Sequence, residues 1–338
     1  MKNAAKRDHG GGLDAAIARY GGSREDWLDL STGINPNPYP LPDFPAAAWS
    51  ALPDAAALDR LLTAARAFWN VPDEAELVAA PGASALIAQM PALAFGTGVY
   101  IPGPTYNEHA AAFRAHGFEV NEADAALATQ VHVHPNNPDG RLFTGDGGAK
   151  LTIIDESFGD VDPAVSHIAR TAEPGTLVLK SFGKFWGLAG LRLGFAIAHP
   201  GTLAPPGRPS LRDLIGPWAV SGPALAAGTC ALEDTLWARK TRADLAESAE
   251  KLDTLMADQG AKPLGGTTLF RLYATVDAEA AKDALCKRRI LTRSFPYSQT
   301  WLRLGLPPAD RWEHLSQALG TVGGAIRASG SAVSPSKP

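Results

Sequence analysis

Short apolar runs of strand length alternate with helical patterns through the middle of the chain. Each run is brief, and every run except 151–155 adjoins a glycine or a proline, which is typical of strands rather than of buried helices. The runs cover 77–80, 98–101, 130–134, 151–155, 176–179 and 191–198. Alternation of this kind predicts an α/β fold with a mixed, mostly parallel sheet flanked by helices.

Polar or small residues stand close to the ends of these predicted strands. Open α/β sheets bind their ligands at the carboxyl ends of the strands, so residues from different loops are expected to meet there. The candidates, in chain order, are Gly82, Ala83, Ser84, Tyr106, Asn137, Asp155, Ser181, Lys184 and Arg192. Each residue alone is weak evidence for a ligand site, but their common placement at strand ends predicts a single site.

Lys184 is the candidate with the most specific surroundings. It follows the apolar run 176–179 through a short loop that contains glycine, and Arg192 stands eight residues later. A desolvated and well-positioned lysine amine can act as a nucleophile. Ser181 and Arg192 can both bind a phosphate, the first as a hydroxyl donor and the second as a bidentate fork. A lone lysine here would more simply be a solvated loop residue, and it is the whole stretch 180–194 that indicates a cofactor.

The other candidates each have a simple structural alternative. The turn 82–84 opens a helix whose N–H groups suit a phosphate, although many helices are capped in this way. Asp155 ends a buried strand, where a carboxylate needs a partner such as a protonated ring nitrogen. Tyr106 can stack on a flat ligand or close the edge of the core. Asn137 can bind a ligand or turn the chain.

Composition argues against several classes of function. The 338 residues carry a net charge of −4 without a long basic or acidic block, so no nucleic-acid partner is expected. The first residues lack the apolar core of a signal peptide, and no apolar run is long enough to cross a bilayer. A cytoplasmic location without a membrane partner is therefore expected. Cys230 and Cys286 have no metal spacing, and His132 and His134 lack further ligands, so no metal is expected.

The length favours one large and one smaller domain. The large domain is predicted over 36–215. The smaller α+β domain combines an N-terminal arm, 1–35, with 216–328, and includes a long interdomain helix over about 221–259. The polar tail 329–338 is predicted to be disordered.

The lysine stretch resembles a known motif. Ser181-x-x-Lys184 followed by Gly190-Leu191-Arg192-x-Gly194 is similar to the cofactor-lysine motif of pyridoxal-phosphate enzymes with the aspartate-aminotransferase fold, fold type I. The resemblance to the class I/II aminotransferase superfamily extends over about 31–327. It implies that the large domain binds pyridoxal 5'-phosphate and that the protein is a homodimer.

The resemblance also implies a role for each candidate. Lys184 binds the cofactor covalently and later moves protons, Asp155 pairs with the pyridinium nitrogen, and Tyr106 stacks on the ring. Asn137 donates a hydrogen bond to the phenolate oxygen. The residues implied to hold the cofactor phosphate are Gly82, Ala83, Ser84, Ser181 and Arg192.

Two subfamilies are open, the threonine-phosphate decarboxylases of cobalamin biosynthesis and the histidinol-phosphate aminotransferases. The run His9-Gly10-Gly11 resembles the N-terminal arm of the decarboxylases, and Phe158 stands where aminotransferases usually have tyrosine. The segment 31–36 and the arginine pair that ends in Arg303 favour the same subfamily. The resemblance therefore favours a lyase over an aminotransferase.

The decarboxylase reading implies a phosphorylated amino acid as substrate. Arg303 then binds the substrate carboxylate, and its phosphate meets His9, Asn35 and Arg293. The full set of implied substrate-binding residues is His9, Gly33, Asn35, Asn137, Arg293 and Arg303.

Two positions depart from the family pattern. Gly183 precedes the lysine where many relatives have serine or threonine, so one phosphate contact is not expected. Leu52 stands where many relatives have a tyrosine that reaches the cofactor of the neighbouring subunit. A third reading, a sensor that binds the cofactor without turnover, is disfavoured because no basic helix-turn-helix segment accompanies the chain.

Overall fold

The computed structural model describes residues 9–145 and 148–326. The chain forms two compact units. The central unit is continuous, Asn37–Asp244, and the terminal unit combines the two ends of the chain, up to Pro36 and from Leu245 onwards. Residues 216–244, predicted as part of the smaller domain, lie in the central unit. The predicted tail, 329–338, lies outside the described residues.

The strands and helices are numbered in chain order. The strands are β1 Leu28–Asp29, β2 Glu76–Ala80, β3 Gly98–Tyr100, β4 Glu119–Asn121, β5 Thr129–Val133, β6 Leu151–Asp155, β7 Thr176–Ser181, β8 Gly194–Ala198, β9 Lys262–Thr267, β10 Phe270–Ala274, β11 Ile290–Leu291, β12 Arg293–Phe295 and β13 Ser298–Gly305. The helices are α1 Leu13–Tyr20, α2 Ala46–Ser50, α3 Ala55–Trp69, α4 Ala83–Leu93, α5 Asn107–Ala115, α6 Pro200–Leu203, α7 Leu211–Ile215, α8 Gly222–Glu233, α9 Thr235–Asp258, α10 Ala278–Cys286 and α11 Trp312–Ile326. Short 3-10 turns cover Arg24–Asp26, Gly159–Val161, Pro163–Val165, Ile168–Ala172, Ala189–Leu191 and Ala309–Arg311.

The central unit is built on a seven-stranded sheet in the order β2-β8-β7-β6-β5-β3-β4. Strand β8 is antiparallel to both of its neighbours, and the other pairs are parallel. Every residue of β5, β6 and β8 is buried, as expected for a sheet covered on both faces. The predicted α/β class with a mixed, mostly parallel sheet is confirmed.

The direction of β8 decides which residues share an edge with the other strand ends. Ser181, the last residue of β7, pairs with Gly194, the first residue of β8. The amino end of β8 therefore lies at the same edge as the carboxyl end of β7. Residues just before β8 thus stand beside residues just after β6 and β7.

The terminal unit carries a separate antiparallel sheet in the order β12-β13-β10-β9. The two ends of the chain meet in a short parallel pair, in which Leu28 of β1 lies beside Ile290 of β11. Helix α1 packs Leu13 and Ala16 against a small buried cluster that includes Leu291. These contacts hold the N-terminal segment on elements from the far end of the chain.

The helix predicted over about 221–259 is two helices. Asp234 separates α8 from α9 with φ −87° and ψ 73°, outside the helical region. Its carboxylate accepts the N–H of Trp237 at 2.9 Å, so Asp234 caps a new helix. An aspartate has a short polar side chain that can do this, and the apolar periodicity continues across the break. No helix among the described residues is both long and apolar enough to span a membrane.

Candidate active site

One edge of the central sheet carries all of the predicted cofactor residues. This edge holds the carboxyl ends of β2, β3, β5, β6 and β7 and the amino end of β8. Gly82, Ala83 and Ser84 follow β2, Tyr106 follows β3, Asn137 follows β5, Asp155 ends β6, Ser181 ends β7, Lys184 follows it and Arg192 precedes β8. All of these residues except Arg192 stand at or after the carboxyl end of a strand, as expected, whereas Arg192 precedes the amino end of β8.

The turn before α4 forms a cationic cradle. Gly82 has φ 89°, in the left-handed region, and a Cβ there would lie 2.6 Å from Nη2 of Arg192. A side chain at Gly194 would meet the amide nitrogen of Ala83. The Arg192 guanidinium therefore lies against the amino end of an eleven-residue helix, where the helix dipole is positive. Two positive groups this close favour a bound anion such as a phosphate.

Tyr106 links this cradle to the end of β6. Burial raises the pKa of its phenol, the negative charge of Asp155 adds to that rise, and a hydrogen bond with Ser84 opposes it. The phenol therefore stays neutral over the physiological range. The ring is partly buried against the apolar core beneath the sheet edge, so it is held in place for stacking.

Asp155 is the buried anion of the site, with 2% of its surface exposed. Its Oδ1 accepts the N–H of Ser157 at 2.9 Å and the Ser157 hydroxyl at 2.5 Å, and its Oδ2 lies 2.8 Å from Nε2 of His109. Burial alone would raise the pKa of this carboxyl, but these hydrogen bonds outweigh it and lower the pKa. Asp155 is therefore held as a carboxylate, the form that pairs with a pyridinium.

His109 was not among the predicted site residues. It stands in the first turn of α5, three residues after Tyr106, and its ring is fully buried. The spacing Tyr-x-x-His at the start of a helix places both side chains on one face, and that spacing was the available signal. Its contact with Asp155, 46 residues away in sequence, is visible only in the fold.

Lys184 extends towards an apolar ring. Its Nζ lies 5.3 Å from the ring centroid of Phe158, which is buried. In the loop before it, the Ser181 hydroxyl accepts the N–H of Gly183 at 3.2 Å. The amine therefore faces a ring without a hydroxyl at the position where aminotransferases usually carry tyrosine.

Asn137 sits in the turn after β5, and its neighbour builds that turn. The Asn136 amide donates to the carbonyl of Pro104 at 3.0 Å and to Asp139 at 2.7 Å, while its oxygen accepts the Thr105 hydroxyl at 2.6 Å. Asn136 therefore makes the hydrogen bonds that hold this turn. The half-buried Asn137 is not required for the same purpose.

A buried ion cluster stands next to the site residues in sequence. Lys180 precedes Ser181 and Glu156 follows Asp155; the Lys180 Nζ lies 2.7 Å from Glu156 Oε2 and 3.4 Å from Asp160 Oδ1. Burial would lower the pKa of Lys180, but the two carboxylates raise it, and Lys180 in turn lowers the pKa of Glu156 against the effect of burial. The cluster ties the ends of β6 and β7 together.

The predicted substrate residues, except Asn137, lie in the terminal unit. Arg303 is buried and donates through Nη2 to the carbonyl of Ser31. Arg293 of β12 pairs directly with Arg303 of β13, so both side chains lie on the same face of the terminal sheet. Two arginines on one face favour an anionic ligand.

The remaining substrate candidates are on segments that adjoin Arg303. The Gly305 N–H donates to the carbonyl of Leu30 at 2.7 Å, and a Cβ at Gly305 would lie 3.3 Å from the nitrogen of Gly33. Asn35 is buried and follows on the same segment, while His9 is exposed. The terminal unit thus brings His9, Gly33, Asn35, Arg293 and Arg303 onto neighbouring stretches of chain.

The sequence matches the profile of the family described as aminotransferase class I and II over residues 46–319, which is most of the chain. The chain belongs to the class I and II aminotransferase family. Members of this family use pyridoxal 5'-phosphate, so the predicted cofactor is confirmed.

Several class I and II aminotransferase family proteins are similar over nearly their whole length. Threonine-phosphate decarboxylase from Sinorhizobium sp is 42% identical over 89% of this chain and 93% of its own. The protein of that name from Pseudomonas aeruginosa is 37% identical over 92% of this chain and 97% of its own. Histidinol-phosphate aminotransferase from Sinorhizobium meliloti, solved with pyridoxal-5'-phosphate, has a TM-score of 0.75 at 19% identity and covers 96% of this chain and 98% of its own.

The residues of the central unit fit the family cofactor. The cradle at Gly82 and Arg192 suits its phosphate, the charged Asp155 suits its ring nitrogen, and Lys184 is the amine within the same edge.

Proposed function

We propose that this chain catalyses the decarboxylation of L-threonine O-3-phosphate to (R)-1-amino-2-propanol phosphate and CO₂, as a step of cobalamin biosynthesis. The observation that carries the proposal is the identity of 42% and 37% to two threonine-phosphate decarboxylases, each over most of both chains. The arginine pair of the terminal sheet and Phe158 beside Lys184 support it from the structure.

The bound cofactor supplies an electron sink for the electron pair that remains when a bond at the substrate's Cα breaks. Asp155 would pair with the ring nitrogen and keep that sink charged, because its hydrogen bonds lower the pKa of its carboxyl and hold it as a carboxylate. Lys184 would donate the proton that replaces CO₂ at Cα. The ring of Phe158 lies 5.3 Å from this amine and presents an apolar surface to it.

Substrate recognition requires two anionic groups to be held at once. Arg303 binds the carboxylate, and His9, Asn35 and Arg293 bind the phosphate. Like charges placed directly across two strands repel each other, so the pair Arg293–Arg303 is stabilised when anions bind. The phosphate does not take part in the bond cleavage. Its binding energy holds the bond between Cα and the carboxylate in the orientation in which that bond is cleaved.

The proposal includes a homodimer. Trp49, Leu52 and Trp218 of the central unit expose 71%, 71% and 63% of their surfaces, which is unusual for large apolar side chains. Trp218 and Pro53, next to Leu52, line one cavity of about 520 Å³. An apolar surface of this kind is suited to a second copy of the chain. The cytoplasmic location stays a prediction.

The test is a measurement of CO₂ release from L-threonine O-3-phosphate by the cofactor-loaded protein without any keto acid. Release that is abolished by Lys184→Ala supports the proposal, and L-threonine serves as the substrate control without a phosphate. No release, together with amino-group transfer from histidinol phosphate to 2-oxoglutarate, would instead make the chain an aminotransferase.

A further inference from the structure

The first three residues that the structure describes, His9 to Gly11, are called the arm from here on, and they are seated on Ser31. The Gly11 N–H donates to the Ser31 hydroxyl oxygen at 2.7 Å. Gly10 approaches the same residue so closely that a Cβ there would clash with the Ser31 carbonyl oxygen. The seat therefore requires a glycine at position 10 and a hydrogen-bond acceptor at position 31.

Ser31 is itself fixed by Asp29. The Ser31 hydroxyl donates to Asp29 Oδ1 at 2.6 Å, and the Ser31 N–H donates to the same oxygen at 2.8 Å. With its proton committed to Asp29, the hydroxyl oxygen presents a lone pair to the Gly11 N–H. Ser31 is 3% exposed, so water competes little for these bonds.

The same residue also contacts Arg303. The Arg303 guanidinium donates through Nη2 to the Ser31 carbonyl oxygen. One residue thus holds the arm through its hydroxyl group and the arginine through its carbonyl. His9 is two residues before Gly11, so its backbone lies within about 7 Å of that of Gly11 at full extension.

We infer that Ser31 is a positioning residue that sets the distance between the His9 imidazole and the Arg303 guanidinium. This inference rests on the proposed function, in which these groups bind the phosphate and the carboxylate of one substrate. A fixed distance between these two side chains selects an amino acid that carries a second anion at the matching separation. The arm is already ordered before the substrate binds. Binding therefore does not include the free-energy cost of ordering the arm, and the affinity for the substrate is higher.

Two variants test this inference, and a third is the matched control. Gly10→Ala places a methyl group against the Ser31 carbonyl, and Ser31→Ala removes the acceptor for the Gly11 N–H. Gly12→Ala is the control, because a Cβ at Gly12 would have open space and its φ of −75° suits alanine. Gly12 is exposed and has no assigned role in the site.

The first readout does not depend on activity. Hydrogen exchange of the Gly11 amide in the substrate-free holoenzyme, followed by mass spectrometry, is expected to be about tenfold faster in Gly10→Ala and Ser31→Ala than in the wild type. The control Gly12→Ala is expected to match the wild type. Equal exchange in all four proteins would show that the arm is not seated on Ser31.

The second readout is binding of L-threonine O-3-phosphate, followed by the visible absorbance of the bound cofactor. Its Kd is expected to rise about tenfold in Gly10→Ala and Ser31→Ala and to stay within twofold in Gly12→Ala. Faster exchange with an unchanged Kd would overturn the positioning role. If the wild type itself does not bind this compound, the proposed function fails, while the exchange experiment still decides whether Ser31 seats the arm.

Discussion

Nε2 of His109 lies 2.8 Å from Oδ2 of Asp155, and neither side chain has appreciable contact with solvent. The other oxygen of Asp155 is held by the backbone and hydroxyl of Ser157. His109 is the contact that lies outside the Asp155–Ser157 turn, and it comes from the helix that follows Tyr106. His109 therefore connects the stacking residue with the anion of the site.

Replacement of His109 by phenylalanine is expected to shift the acid limb of cofactor binding to higher pH. In the wild type the pKa of Asp155 is lowered, so its ionised form contributes stability above the usual carboxyl range of about 3.9, and this is lost as the pH falls through the folded value. Without His109, fewer interactions oppose the rise that burial causes in the pKa of Asp155, so that pKa is higher. The measurement is cofactor affinity by absorbance between about pH 4 and 8.

His116→Phe is the control for this experiment, because His116 ends the same helix and is exposed. The role assigned to His109 is wrong if the acid limbs of His109→Phe and His116→Phe coincide with that of the wild type.

Lys180→Met is expected to reduce the free energy of unfolding by about 3–5 kcal/mol, because it leaves the buried carboxylates of Glu156 and Asp160 without their cation. Lys240→Met is the control, since Lys240 pairs with Asp244 at 2.5 Å on an exposed face, where such pairs contribute about 0–1 kcal/mol. Urea unfolding of both variants gives the comparison. Equal losses would mean that burial does not decide the strength of the Lys180 cluster.

Arg303→Ala is expected to weaken substrate binding about 10-fold to 100-fold, the usual effect of removing a charge-assisted hydrogen bond. Cofactor affinity is expected to change much less, because Arg303 lies in the terminal unit and the cofactor candidates lie in the central unit. Titration of the holoenzyme with L-threonine O-3-phosphate measures the first, and equilibrium dialysis of the cofactor the second. Arg288→Ala, at an exposed position, is the control. An equal loss of both affinities would contradict the assignment.

Trp218→Asp is expected to convert a dimer into a monomer, because it places a charge at an exposed apolar residue that lines the same cavity as Pro53. Sedimentation velocity at micromolar concentration measures the change. Val276→Asp, which alters an exposed apolar residue of the terminal unit, is the control. A monomeric wild type, or a Trp218→Asp protein that stays dimeric, would contradict the proposed interface.

The placement of the site was predictable because it follows from a property of single strands. A strand that ends at Asp155 or Ser181 carries its last residue to the edge of the sheet whatever its neighbours are, so the residue order along the chain suffices. The class of the fold followed from the same alternation of strands and helices. The antiparallel direction of β8 was not predicted, and the predicted strand 191–198 contained Arg192, which the structure places just before β8.

The parts that were missed depend on contacts between distant residues. His109 and Asp155 are 46 residues apart, and Lys180 meets Asp160 across 20 residues, so no local pattern announces either contact. A buried lysine also reads as an ordinary charged residue in a sequence. The break at Asp234 was missed because the same apolar period runs through both helices, and one cap is enough to separate them.

The terminal unit has a consequence for how the protein is made. Leu28 cannot form the β1–β11 pair until Ile290 has been synthesised, and Ser31 cannot contact Arg303 until Arg303 has been synthesised. At synthesis rates of about 5–20 residues per second, the arm leaves the ribosome on the order of tens of seconds before these partners exist. The central unit, which holds every cofactor candidate, is synthesised up to Asp244, which is 46 residues before Ile290. A chain released early is therefore expected to have the means to bind a cofactor without the means to choose a substrate.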